Sequence, residues 1–339
     1  MSSSLPEPRL RLSTILIAAG ASLFFCSKGV FVKCAYQYGA DYLTVLTLRM
    51  VFALPFFAVT GWLAARRRAE PLTRRDWTAM AGLGFLGYYL SSVLNFAGLS
   101  HISVGLERII LYIYPAFVVL GAALFLRQKL RPAVLLAALV SWLGIAIAYA
   151  GEAGGSDGPP GLGMALIFGS ALTYAAFILL SGEWLKRMGP ALFTSGVVSF
   201  SGLFVMLHFL TQRPVASLFA QPAPVLGWSL ALATVSTIIP SYLMGLGVAR
   251  AGASRFAIIG SSGPVMTVFL AWLMLGEPVN ALRLLGLALS VTGGLAVSLL
   301  KPAPPASPSP DNTAPHSPTP GIKAPSSDKG CKAGPAAVE

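Results

Sequence analysis

The sequence predicts an all-α integral membrane protein of ten transmembrane helices, built as two inverted five-helix repeats. Three observations lead there: the composition, the spacing of the apolar runs and a self-similarity at a shift of 149 residues. Of 339 residues, 55% are hydrophobic and 11% charged, with a mean hydropathy of +0.73. A soluble domain carries about 25% charged residues. A helix needs roughly 20 mostly apolar residues to cross the hydrocarbon of a bilayer, and runs of that length recur between short polar breaks.

The first run, 13–35, follows Arg9 and Arg11 and leaves residues 1–12 as a cytoplasmic tail. It is too long for the apolar stretch of a cleaved signal peptide, about 7–15 residues, and is read as retained. Runs at 43–64, 76–99, 103–126 and 132–150 complete a first repeat, 13–150, each bounded by charges or turn residues. Residues 151–161, rich in Gly, Ser and Pro, form an expected outer loop. The second repeat, 162–300, holds runs at 162–184, 191–210, 225–248, 254–275 and 281–300. Past Lys301 the chain turns to Pro, Ser and Ala, and 301–339 is expected to be a disordered cytoplasmic tail because it has too little apolar surface to offset ordering.

The net charge of +12 is distributed by topology. With the N-terminus inside, the inner segments hold Arg9, Arg11, Arg66, Arg67, Arg68, Arg74, Arg75, Arg127, Lys129, Arg131, Lys186, Arg187, Arg250, Arg255 and Lys301. The outer ones hold only Lys33, Arg108, Arg213 and Arg283. This is the positive-inside pattern, which predicts an inner (plasma) membrane protein, multi-pass, with both termini cytoplasmic. Clusters such as Arg66 to Arg68 set topology and offer contacts to lipid headgroups. No basic patch sits on a soluble module, so nucleic acid is not an expected partner. Cys26, Cys34 and Cys331 form no CxxC pair and predict neither zinc nor a disulfide.

The shift of 149 aligns Gly98 with Gly247, Pro115 with Pro264, Ser141 with Ser290 and Gly144 with Gly293. Both prolines fall inside the fourth helix of their half, where proline removes a backbone hydrogen bond and breaks or bends the helix. With five spans per half, the second half enters the membrane in the opposite sense. Inverted repeats of this kind are a recurring plan of secondary transporters, whose halves exchange two arrangements around a midplane site.

Residues 103–131, SVGLERIILYIYPAFVVLGAALFLRQKLR, and 252–278, GASRFAIIGSSGPVMTVFLAWLMLGEP, resemble the two copies of the EamA module of the drug/metabolite transporter (DMT) superfamily. The resemblance rests on a small residue after the third helix, a proline within the fourth and a Gly-Glu ending it. The second copy ends Gly276-Glu277, whereas the first has Arg127-Gln128. Residues 27–50, ending near Arg49, are similar to the family's first hairpin. The resemblance spans about 13–300 and implies a permease, an exporter of amino acids or related small polar metabolites, with uptake carriers and facilitators in the same family.

Ionisable side chains in the membrane cost about 2.5–3.5 kcal/mol on insertion scales, so each requires a reason. Lys28, Arg49, Glu107 and Arg108 all fall in the outer half and sum to +2. Glu107 is expected to pair with one cation, leaving positive charge for an anionic group of a substrate. The bland alternative has Arg49 and Arg108 snorkelling to headgroups and Glu107 merely neutralising a neighbour. Asn95, Tyr112, Tyr174, Tyr242 and Ser261 are further substrate-binding candidates, with Ser91, Pro240, Gly260 and Ser262 beside them. Pro115 and Pro264 are the expected helix breaks, while small residues there also serve close helix approach. His208 is read as a packed or interfacial histidine.

The GSSG at 260–263 matches an intramembrane serine protease pattern, but the one later histidine, His316, lies in the tail. No nucleotide-binding loop, metal-ligand cluster or dinucleotide motif is present. The expectation is therefore no enzyme, no cofactor and no metal. The expected partners are a small-molecule substrate, membrane lipid and a second copy of the chain as a homodimer. A non-catalytic membrane scaffold or sensor is the alternative from another class.

Overall fold

The computed structural model describes residues 20–68, 70–125, 132–151, 160–241, 243 and 263–300. Every regular element among them is helical. Residues 20–26 are helical, α1, and after a one-residue turn at Ser27 the chain continues as α2 (Lys28–Tyr36). A Gly39 turn at φ +83° leads to Asp41, whose carboxylate accepts from the backbone N–H groups of Leu43 and Thr44 and starts α3 (Tyr42–Arg66). At the far end of α3, Thr73 and Asp76 form a reciprocal capping box that opens α4 (Arg74–Leu83). A π-helical stretch (Gly84–Leu90) joins α4 to α5 (Ser91–Leu99). Ser103 caps α6 (Val104–Leu111), and α7 (Tyr114–Phe125) and α8 (Pro132–Ala150) follow.

The second half runs α9 (Pro160–Met188), α10 (Pro190–Gln212), a short α11 (Ala216–Phe219), α12 (Ala223–Ala233), a π-helical turn (Thr234–Ile238), α13 (Gly263–Leu275) and α14 (Ala281–Leu299). Seven of the described helices are long and apolar enough to cross a membrane, and α13 and α14 are shorter apolar helices. Residues 1–19, 69, 126–131, 152–159, 242, 244–262 and 301–339 fall outside the described set, and with them Arg127 and Gln128, most of the expected outer loop 151–161, Tyr242, Ser261, most of the GSSG segment and the expected N- and C-terminal tails.

Four features depart from uniform spans. The first run breaks at Ser27, the fourth at Tyr112 and Ile113 just before Pro115, and the third and eighth each widen into π-helical turns. The two π-helical stretches, 84–90 and 234–238, occupy matching positions under the 149-residue shift. A π turn inserts one residue into the ladder and redirects the side chains after it, and such turns concentrate at functional sites. α11 is an additional surface helix with no counterpart among the apolar runs.

Packing follows the repeat. The most extensive helix pairs are α8 with α14, α10 with α3 and α5 with α9. In lipid, helix association relies on close packing and hydrogen bonds, because the bilayer is as apolar as the side chains. α8 and α14 meet through Gly144, Gly286 and Gly293: a Cβ on Gly144 would stand 2.5 Å from Ser290 N, and one on Gly293 2.6 Å from Ser141 N. Ser91 and Ser170 join α5 to α9, their hydroxyls 3.0 Å apart and each donating to the other's carbonyl.

The helix ends meet in two sets, consistent with successive spans running in alternate directions. At one end Asp41 pairs with Arg213, Glu277 binds the start of α6, and Asn280 and Arg283 donate to the Gly151 carbonyl. At the other end Asp76, fully buried, pairs with Arg187 at 2.9 Å, and Arg68 donates to the Arg187 carbonyl.

Candidate functional site

The site forms where α2, α5 and α6 converge. Ser27 ends α1 with its hydroxyl 2.7 Å from Phe24 O and 2.7 Å from the Ser236 hydroxyl on the π turn after α12. Lys28 follows as the first residue of α2, aimed at α5. Its Nζ donates to Asn95 Oδ1 at 2.8 Å and lies 3.7 Å from Glu107 Oε1. Asn95 turns its amide to Glu107, with Nδ2 donating to the same Oε1 at 2.8 Å. Glu107, in the first turn of α6, is fully buried, and Asn95 is 2% exposed. A buried carboxylate requires both a counter-charge and hydrogen bonds. Lys28 supplies the first and Asn95 the second.

Arg108 lies beside it, 6% exposed, with Nε 3.8 Å from Glu107 Oε2 and its guanidinium 5.9 Å from the centre of the Phe25 ring. Arg49, 8% exposed, donates from Nε to Thr237 Oγ1 at 2.9 Å and stacks over Phe96 at 5.7 Å. Because Asn95 and Phe96 are adjacent on α5, one turn of that helix receives Lys28 and Arg49 together. The π turn is what presents Thr237, whose hydroxyl also reaches back five residues to Leu232 O at 2.9 Å. Neither arginine snorkels out of the protein; both are buried in it.

The four ionisable groups sum to +2, and among the described residues no carboxylate lies within ion-pair distance of Arg49. Glu107 Oε2 and Arg108 Nε and Nη2 are buried without a hydrogen-bond partner. Such atoms are uncommon in native folds and call for an explanation.

Two further candidates, Tyr112 and Tyr174, lie among the described residues. Tyr112 marks the break after α6, and Gly294 lets α14 approach its carbonyl and ring, where a Cβ would stand 2.9 Å from Tyr112 O. Tyr174 belongs to an aromatic cluster, 5.6 Å from Tyr114 and 5.9 Å from Phe177. His208 bonds Tyr89 and Gln212 at 3.2 and 2.9 Å, a partly exposed interfacial position. Among the described residues no group of three or more His, Cys, Asp or Glu gathers to hold a metal.

Ser236, Thr237 and Phe96 enter the site region without having been singled out in the sequence, where Glu277 stood out only as the end of a motif. The Glu277 case has a readable mechanism. Gly276 at φ +66° ends α13, its N–H donating to Trp272 O at 3.1 Å, and turns the chain so that Glu277 faces α6. There Oε1 accepts from Val104 N at 2.7 Å and Oε2 from Gly105 N at 3.2 Å. A carboxylate on the unsatisfied donors and positive dipole end of a helix is favourable. Burial pushes the Glu277 carboxyl above the ordinary range, against the opposing pull of those two donors and of Lys33 and Arg283. The Gly-Glu of the second half thus holds the helix that carries Glu107 and Arg108.

The family model described as the EamA-like transporter family matches the chain twice, over 12–150 and 161–299. The chain belongs to the EamA-like transporter family. Among EamA relatives, the uncharacterized transporter YcbK of Bacillus subtilis is 30% identical over 276 residues, covering 80% of this chain and 88% of that protein. The uncharacterized transporter sll1319 of Synechocystis is 29% identical, covering 85% and 93%. A solved crystal structure with 17% identity shares the fold, with a TM-score of 0.58 over 85% of this chain and 99% of that one. The EamA protein is therefore a multi-pass membrane transporter with two EamA repeats.

Proposed function

We propose that this EamA protein is an inner-membrane secondary transporter that exports amino acids or related small polar metabolites. It works by alternating access between two inverted five-helix repeats, with both termini cytoplasmic. The observation that carries the reading is the Lys28, Asn95, Glu107 and Arg108 network. It spends one carboxylate on two nearby cations, keeps Arg49 close by, and leaves net positive charge buried in the span. An intramembrane charge of that kind marks a substrate or ion pathway. The reciprocal packing of α8 and α14 supports a two-fold relation between halves, the geometry that alternating access requires.

Reconstitution in liposomes tests this directly. Saturable exchange of at least one member of an amino-acid panel, faster from the cytoplasmic face and lost in Lys28→Met, is the expected result. Comparing flux with and without an imposed pH gradient then decides proton coupling. No flux for any amino acid would overturn the substrate assignment, and stronger flux in the opposite direction would overturn export.

A further inference from the structure

We infer that Glu107 and Arg108 are the two poles of a zwitterion site, in which Glu107 Oε2 takes the ammonium of an α-amino acid and Arg108 Nε and Nη2 take its carboxylate. The inference rests on the transporter reading above and deepens it.

The starting point is what remains open once the network has closed. Glu107 Oε1 is occupied by Asn95 Nδ2 at 2.8 Å, with Lys28 Nζ at 3.7 Å, so that oxygen and its counter-charge are settled. Oε2 has no hydrogen-bond partner, and neither do Nε and Nη2 of Arg108. All three atoms are buried, and leaving buried donors and acceptors unmade is costly.

The obvious internal remedy is a bidentate bond between the two residues, and the backbone forbids it. Glu107 and Arg108 are consecutive on α6, and consecutive helical side chains do not face each other. They stop at 3.8 Å, too far for a hydrogen bond. An acceptor and a pair of donors are thereby held beside each other at a spacing that suits a cation and an anion carried on one carbon.

The charges assort in the same way. Lys28 and Arg108 share the single Glu107 carboxylate, which leaves one positive charge over, and Arg108, with two unmade donors, is placed to give it to a ligand carboxylate. Asn95 fixes the carboxylate plane and so directs Oε2. Gly29 faces that oxygen from α2, where a Cβ would already stand in contact with it at 3.6 Å, so a larger side chain there would crowd Oε2. Phe25, 44% exposed, borders the guanidinium at 5.9 Å and offers an apolar wall for the ligand's side chain.

The test uses the full chain in proteoliposomes, loaded in turn with amino acids, simple carboxylic acids and simple amines. For an amino acid that exchanges, its N-acetyl derivative lacks the cation and its amide lacks the carboxylate. The wild type is expected to discriminate against each by about tenfold or more, because a site built on polar contacts rejects analogues lacking them. Glu107→Gln should shrink the penalty on the N-acetyl derivative while keeping that on the amide, and Arg108→Gln should do the converse. This crossed pattern is not produced by a merely structural role. Wild-type discrimination stands as evidence even where a variant fails to fold. Equal handling of an amino acid and its N-acetyl derivative by the wild type overturns the site. So does flux confined to acids or amines, which preserves the transporter reading. No flux in any class overturns both.

Discussion

Ser141 and Ser290 lie 149 residues apart in the chain, and their hydroxyl oxygens lie 3.4 Å apart in space. They are the same position in the two repeats, so each touches its own counterpart where α8 crosses α14. The glycines around them are reciprocal too: Gly144 abuts Ser290 N and Gly286 O, and Gly293 abuts Ser141 N and Ala137 O. A contact that exchanges its partners in this way is the signature of a local two-fold axis.

Gly144→Ala is expected to destabilise this crossing by about 1–3 kcal/mol, the usual cost of overpacking. The added Cβ would stand 2.5 Å from Ser290 N and 2.7 Å from Gly286 O, backbone atoms that no rotamer change can move. Gly182→Ala on α9 is the control, because a Cβ there meets nothing within 4 Å. Thermal unfolding in detergent should separate the two, with Gly144→Ala melting lower and Gly182→Ala at or above the wild type.

Lys28→Met should abolish exchange and also lower stability, since it leaves the Glu107 carboxylate buried with Arg108 at 3.8 Å as its remaining counter-charge. Breaking one side of a buried pair costs about 3–5 kcal/mol. The double variant Lys28→Met with Glu107→Gln removes both charges and is expected to recover most of the stability while transport stays lost. Parallel melting and flux assays decide it; recovered flux in the double variant would remove Lys28 from the pathway.

The charged part of the site was legible because charge in an apolar run is conspicuous: Lys28, Arg49, Glu107 and Arg108 announce themselves by their insertion cost. Sequence spacing also placed them at similar depth. It could not show that Asn95 bridges Lys28 and Glu107, because that contact spans 67 residues on one side and 12 on the other. The two π turns were invisible, since neither interrupts the hydrophobic pattern. Glu277 was visible as part of a motif, but its partner, the start of α6, lies 173 residues away. Tyr174, chosen as a polar group in an apolar helix, packs with Tyr114 and Phe177, neighbours that one-dimensional polarity cannot supply.

Glu277→Ala should loosen the first turn of α6. It removes the acceptors of two backbone N–H groups, Val104 at 2.7 Å and Gly105 at 3.2 Å, and loss of a helix cap costs about 0.5–2 kcal/mol. Amide exchange at 104 and 105 is expected to accelerate, with a fall in transport because Glu107 and Arg108 ride on the same turn. Glu277→Gln, which keeps one acceptor oxygen, should lie between. Unchanged exchange at those amides in the alanine variant would show that the cap is idle.

Asp41 should give the protein an acid-sensitive clasp between α3 and α10. Burial raises its carboxyl, but the hydroxyl and backbone N–H of Thr44 and the Arg213 guanidinium together bring it below the ordinary value of about 3.9. A depressed carboxyl stabilises the fold fully above its unfolded value and loses that contribution as pH falls through the folded one. Melting temperature should therefore be insensitive to this group between about pH 7 and 5, then drop below about pH 4. Asp41→Asn keeps a good cap for α3 and loses the ion pair, so at neutral pH it should cost about 1 kcal/mol or less, as partly exposed pairs do. Its melting curve should be flatter than the wild type's in acid, and the two should converge as Asp41 takes up its proton. Parallel acid slopes for both proteins would assign the acid sensitivity to other carboxylates.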